Sequence, residues 1–126
     1  MLRCALTLLL AVALALPAAA QMPRNFNDKA LRGELVFGTP PEVTLNGKPT
    51  RLAPGARIRD RNNMMLMPAT LVGGKAVVNY TTELQGMVLD VWILTPAEVA
   101  RQPWPRTEKE ASTWTFDENA QTWTKP

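Results

Sequence analysis

Between residues 31 and 95 the chain repeats one pattern: short runs alternating apolar with polar side chains, separated by tight-turn dipeptides. That pattern points to β-structure throughout. Residues 32–37 read as a first strand, closed by Gly38-Thr39-Pro40-Pro41. Val43-Thr44-Leu45, then Asn46-Gly47, then residues 48–52 read as a hairpin with a type I′ turn, since Asn and Gly both accept positive φ. Pro49 is compatible with it. In a two-residue loop Leu45 and Lys48 form the hydrogen-bonded pair, so Pro49 falls opposite Thr44 in a pair that exchanges no ladder bonds. Pro54-Gly55 is expected to turn the chain into a strand over 56–60, with Ala56 and Ile58 on one face and Arg57 and Arg59 on the other. Asn62-Asn63 reads as a further turn, followed by the apolar stretch Met64-Met65-Leu66-Met67. Residues 75–82 alternate, Ala76, Val78 and Tyr80 against Val77, Asn79 and Thr81. The longest strand is expected over 86–95, with Met87, Leu89, Val91 and Ile93 on one face and Val88, Asp90, Trp92 and Leu94 on the other. Because both faces are largely apolar, it belongs at the centre of the sheet.

About 65 residues fall short of the roughly 100 that an immunoglobulin-type sandwich needs. A small five- or six-stranded antiparallel barrel closes its own edges with fewer. The expected fold is all-β, with residues 31–95 as the barrel domain. Thr95-Pro96-Ala97-Glu98 then starts a short helix over 96–101: Thr95 caps, Pro96 suits the first position, and Glu98 reaches back. Pro103 and Pro105 stop it. Residues 102–112 are charged and read as a linker. Residues 113–125 alternate threonine with aromatics on both sides of a polar loop, a β-hairpin that would project Trp114, Phe116 and Trp123 to one face. A lone two-stranded hairpin is marginal in water. It either docks on the barrel or becomes ordered on a partner.

Ahead of this lie residues 1–20, which read as a cleavable export signal: Arg3, an apolar run over 5–16, Pro17, then Ala18-Ala19-Ala20. The run is about a dozen residues, short of the roughly 20 that span a bilayer as a helix, so no membrane span is expected after cleavage. The expected location is the periplasm. Removing 20 of the 126 residues leaves 106, beginning with an irregular segment over 21–30. The single cysteine, Cys4, leaves with the signal, and the chain has no histidine. Disulfides, thiolate metal sites and thiol catalysis are thereby excluded from the mature chain, and so are the commonest general base and transition-metal ligand. Of the 14 basic residues only Arg3 is in the signal, which leaves 13 against 11 acids, a net +2. That balance gives no argument for nucleic acid as a partner.

Several stretches carry a resemblance. Leu31-Arg32-Gly33, Pro41-Glu42-Val43, Leu45-Asn46-Gly47, Pro54-Gly55-Ala56-Arg57-Ile58-Arg59, Asn63-Met64, Asn79-Tyr80 and Val91-Trp92-Ile93-Leu94 are similar to uncharacterised small exported proteobacterial proteins. More distantly, the layout is similar to OB-like periplasmic barrels, within a broader OB- or SH3-like expectation. A typical OB-fold carries a helix between its third and fourth strands, and no helical segment is expected between Arg57 and Lys75. Trp114-Thr115-Phe116-Asp117-Glu118 and Thr122-Trp123-Thr124 resemble the C-terminal hairpin of the immunoglobulin-binding domain of protein G. That local resemblance implies a stable hairpin and no antibody binding.

Three sets of side chains are candidates for interaction. Met64, Met65 and Met67, with Met87, are soft thioethers of the kind that select Cu(I); the competing expectation is that they fill the barrel core. Arg57, Arg59 and Arg61 at alternate positions, with Arg51 on a neighbouring strand, would align as a basic ridge able to meet phosphates, or simply form a solvated face. Trp104, Trp114, Phe116 and Trp123 would serve as binding anchors or pack back on the barrel. Glu42, Glu83 and Asp90 form no recognisable acid–base pair, and Asn79-Tyr80-Thr81 matches a glycosylation pattern only by chance. No cofactor and no catalytic residue are expected. The reading is a non-enzymatic binding protein whose partner is another envelope protein, engaged by residues 102–125, or an envelope polymer. The alternative is a ligand-binding barrel for an envelope glycan, an anionic lipid headgroup or Cu(I).

Overall fold

The computed structural model describes residues 23–126. The export signal expected over 1–20 lies outside the described residues. Strands β1 (Leu31–Phe37), β2 (Glu42–Leu45), β3 (Lys48–Arg59), β4 (Met65–Leu66), β5 (Lys75–Thr82) and β6 (Val88–Ile93) precede a short helix α1 (Pro96–Val99). A second helix α2 (Glu108–Thr113) and a hairpin of β7 (Thr115–Asp117) and β8 (Thr122–Thr124) complete the chain. β1, β2, β3, β6 and β5 pair in a closed ring, with β4 added beside β3.

The fold is the expected small all-β barrel, but it is not wholly antiparallel. β3 and β6 run parallel. The reason is arithmetic: a closed ring with an odd number of strands cannot alternate direction all the way round, so one neighbouring pair must agree. β5 returns to pair with β1, and its hairpin mate β6 is then laid beside β3 in the same direction.

The β2–β3 hairpin follows the turn chemistry. Asn46 and Gly47 have φ of 51° and 81°, Leu45 pairs with Lys48, and Thr44 faces Pro49. At Pro54-Gly55 the chain does not turn. β3 runs on from Leu52 to Arg57 through an irregularity that consumes only the step from Val88 to Asp90 on β6, with Gly55 at φ 78°. Bulging bends a barrel strand without ending it. A second irregularity, at Leu89, resets β6: Thr81 faces Asp90 while Thr82 faces Val88. Val88, Val91 and Ile93 therefore all enter the core, where strict alternation would separate Val88 from the other two. Between β3 and β5 the chain makes a 3-10 turn at Pro68–Leu71, where no helical segment was expected.

The barrel interior holds Leu35, Phe37, Val43, Leu52, Ile58 and Val78, among others. Gly33 permits β1 to pack closely. A Cβ there would lie 3.0 Å from both Leu45 Cδ1 and Tyr80 Cε1 and 3.2 Å from Asn46 Nδ2. Gly33→Ala is expected to cost about 1–3 kcal/mol by overpacking, read from the midpoint of urea unfolding.

A second core lies outside the ring, over the outer face of β6. Phe26, Ala30, Leu94, Trp104 and Trp123 are buried together, with Trp92, Trp114 and Phe116 partly buried against them. The tail hairpin therefore docks. Phe116 stacks on Trp123 at 4.8 Å and Trp104 meets Phe26, Phe116 and Trp123 edge-on at 5.9, 5.7 and 6.2 Å. The Gln121 amide pairs with both backbone groups of Phe26, accepting from its N–H at 2.7 Å and donating to its C=O at 3.0 Å. Residues 102–112 are not a plain linker either. The Arg32 N–H donates to Pro105 O at 2.8 Å, the Trp104 indole donates to Ala30 O at 2.8 Å, and Thr107 caps α2 by accepting from the Glu110 N–H at 3.1 Å.

Candidate functional site

Three guanidinium groups and one carboxylate meet where the N-terminal segment, β1 and α1 come together. Glu98 is fully buried. Its carboxylate accepts from the Thr95 N–H at 2.9 Å, completing the expected capping box. It also accepts from Arg24 three times, through the backbone N–H and Nε at 2.9 Å each and Nη2 at 2.7 Å. Desolvation opposes ionisation of Glu98, but the Arg24 guanidinium and the Thr95 and Arg24 backbone N–H groups outweigh it and hold its pKa below the usual carboxylate value. Arg24 also donates to Asp60 O and Ile93 O, and Arg101 donates to Arg24 O.

Arg32 has a different kind of partner. On the outer face of β1 and only 6 % exposed, it donates to Asn79 Oδ1 at 3.0 Å, Glu98 O at 3.1 Å, Val99 O at 3.2 Å and Arg101 O at 3.1 Å. It thus caps the C-terminal carbonyls of α1. Among the described residues no carboxylate comes within 4.0 Å of it. Burial, then the Arg101 guanidinium, push its pKa down to about 10, against the pull of Glu98, with Arg106 adding to the depression. Arg32 therefore stays cationic at neutral pH, held by amide dipoles where a buried charge would ordinarily require an anion.

This cation lines a pocket of about 370 Å³ together with Trp104, Trp114, Gln102, Arg106 and Lys125. The Arg32 guanidinium lies over the Trp104 ring at 5.1 Å, and Lys125 Nζ lies over Trp114 at 5.4 Å. Two indoles, an amide and three cations line it, against Glu110 as the one acid, a charge balance complementary to an anion.

The other expected site residues are dispersed. Trp104 and Trp123, at 5 % and 4 % exposure, are core residues, which removes them as free anchors. Trp114 lines the pocket and Phe116 is partly buried. The arginine ridge is divided by pairing. Arg51 pairs with Glu42 at 3.0 Å, and Arg57 and Arg59 share Asp90 at 3.1 and 3.8 Å. Arg61 donates to Leu94 O at 2.9 Å. Asp90 also accepts from Thr81 at 3.1 Å, and Glu83 accepts from the Met87 N–H at 2.8 Å. Asn79 is wholly buried.

The methionines overturn the core-filling expectation. Met64, Met65 and Met67 are 64 %, 57 % and 71 % exposed. β4 is only two residues long and contributes Leu66 to the core. Met87 lines a separate apolar groove of about 390 Å³ with Pro40, Pro41, Pro54 and Pro68. Among the described residues no three His, Cys, Asp or Glu side chains are grouped to hold a metal, and no helix is long and apolar enough to cross a membrane.

Sequence reasoning located Glu98 through its cap but missed Arg24 and Arg32. Arg24 is 74 positions from Glu98, and Arg32 is 66 from the Glu98 carbonyl it caps, so neither contact leaves a local mark. Comparison with protein-family models, with curated proteins and with solved structures returns no match to this chain.

Proposed function

We propose that this is a non-enzymatic binding protein of the periplasm that takes an acidic sugar unit of an envelope glycan in the pocket beside Arg32. The observation that carries this reading is a buried guanidinium with no carboxylate within 4.0 Å among the described residues, lining a pocket with Trp114, Arg106 and Lys125. An anion entering there supplies the missing charge, and the half-buried Trp114 ring in the same lining offers a flat surface beside it. The burial of Trp104 and Trp123 weighs against the tail as a protein-binding arm and in favour of this ligand-binding alternative. The ring order and the 3-10 turn between the third and fourth ring strands support an OB-like relationship as part of the same proposal.

The test is titration with glucuronate, followed by tryptophan fluorescence and calorimetry, with glucose as the neutral control. Saturable binding of glucuronate that weakens with salt is expected, with none for glucose. Arg106→Glu with Lys125→Glu should lower affinity about tenfold or more, roughly 1.4 kcal/mol per decade, while leaving the thermal midpoint near that of the parent. Equal binding of both sugars, or of neither, overturns the reading.

A further inference from the structure

At the far end of β3 a different chemistry is exposed. We infer that Met65 and Met67 form a binding site for a soft monovalent ion, Cu(I) or its redox-inert analogue Ag(I). The alternation around Leu66 carries the argument. Leu66 packs against the core, so on an extended chain its neighbours Met65 and Met67 point the opposite way, and both are more than half exposed. Met67 itself keeps extended backbone angles, φ −78° and ψ 129°. Two thioethers two positions apart on one face, each with flexible torsions, can close on a single ion.

The backbone beneath them is held fixed. The Asp60 N–H donates to Met64 O at 2.9 Å, and the Asp60 carboxylate accepts from the N–H groups of Asn62 at 2.8 Å and Met64 at 2.9 Å. Asn63 turns the chain at φ 64°. The fold makes no use of these sulfurs, since neither Met65 nor Met67 belongs to either core. Thioether ligands without imidazole or carboxylate select Cu(I) and Ag(I) over harder divalent ions. Arg59 lies directly across the ladder from Met65, but its guanidinium is drawn to Asp90 and over the Trp92 ring at 5.8 Å, away from the sulfurs. Met87 stands apart, lining the proline-walled groove.

The experiment is titration of the full chain with Ag(I), followed by methyl NMR of the methionines and calorimetry. A Cys4→Ser background keeps the lone thiol from taking the ion. Saturation at one ion per chain is expected, with the methyl signals of Met65 and Met67 shifting and that of Met87 unmoved. Met65→Leu with Met67→Leu should lower affinity at least about tenfold, with the thermal midpoint retained because both side chains are exposed. Zn(II) should not compete. The absence of saturable Ag(I) binding, or equal affinity in the double variant, overturns the site. Bound Ag(I) should also protect Met65 and Met67, but not Met87, from oxidation by peroxide; equal protection of all three would count against it.

Discussion

Glu98→Gln is expected to remove about 3–5 kcal/mol of stability, the usual cost of breaking a buried ion pair by deleting one partner. The carboxylate accepts four hydrogen bonds, three from Arg24 and one from Thr95. Glutamine keeps the shape but replaces one acceptor with a donor, which then faces another donor, and it leaves the Arg24 guanidinium unneutralised with its side chain only 13 % exposed. Against a total of about 5–15 kcal/mol for a domain of this size, that is a large fraction. The same residue gives the fold an acid-sensitive component. Its folded pKa is lowered, so its stabilisation is complete above the unfolded carboxylate pKa of roughly 4.3 and is lost as pH falls through the lower folded value. Urea unfolding at neutral and at acid pH checks both points. The variant should be weaker at neutral pH and should lose part of the parent's acid sensitivity. A parent and variant that weaken in parallel on acidification would assign that sensitivity to other carboxylates.

Trp104→Ala is the second large effect, expected at about 3–5 kcal/mol for a buried tryptophan. This indole touches Phe26, Phe116 and Trp123, underlies Arg32, and donates to Ala30 O. It joins the N-terminal segment, the barrel and the tail hairpin, so its loss should separate events that are concerted in the parent. Hydrogen exchange over 113–125 should become fast while residues 75–82 stay protected, and acrylamide should quench the remaining tryptophans more readily. Trp104→Phe, which keeps an aromatic ring but loses the hydrogen bond, should fall between the two, near 1 kcal/mol for that bond. If exchange rises equally in the hairpin and the barrel, the two cores unfold as one unit.

How much of this was legible depends on the range of the interaction. Asn46-Gly47, the tolerance of Pro49 and the cap joining Thr95 to Glu98 are set by neighbours within a few positions, and each was readable from residue type. The tail hairpin was readable for the same reason, although its docking depended on Phe26 and Trp104, residues far from it in the chain. Thr107-Glu108-Lys109-Glu110 has the same Thr-x-x-Glu spacing as the first cap, but its charged composition read as a linker. Bulges were the hardest to read. Leu89 looks like an ordinary strand residue, and only the closure of the ring makes it the place where register slips. The methionine stretch failed for a related reason: a strand of two residues has one inward position, and Leu66 occupies it. At the pocket, Trp104 and Trp114 stood out by type, but Arg32 gained its meaning from carbonyls more than sixty positions away.

The pairing of Gln121 with Phe26 has a further consequence for the order of assembly. It joins residues 95 positions apart, so the second core cannot be completed until both have been synthesised. The barrel strands all lie between residues 31 and 93 and can pair earlier. A product truncated before residue 121 would keep the ring but leave one side of Phe26 open, and that apolar surface would mark it as unfinished.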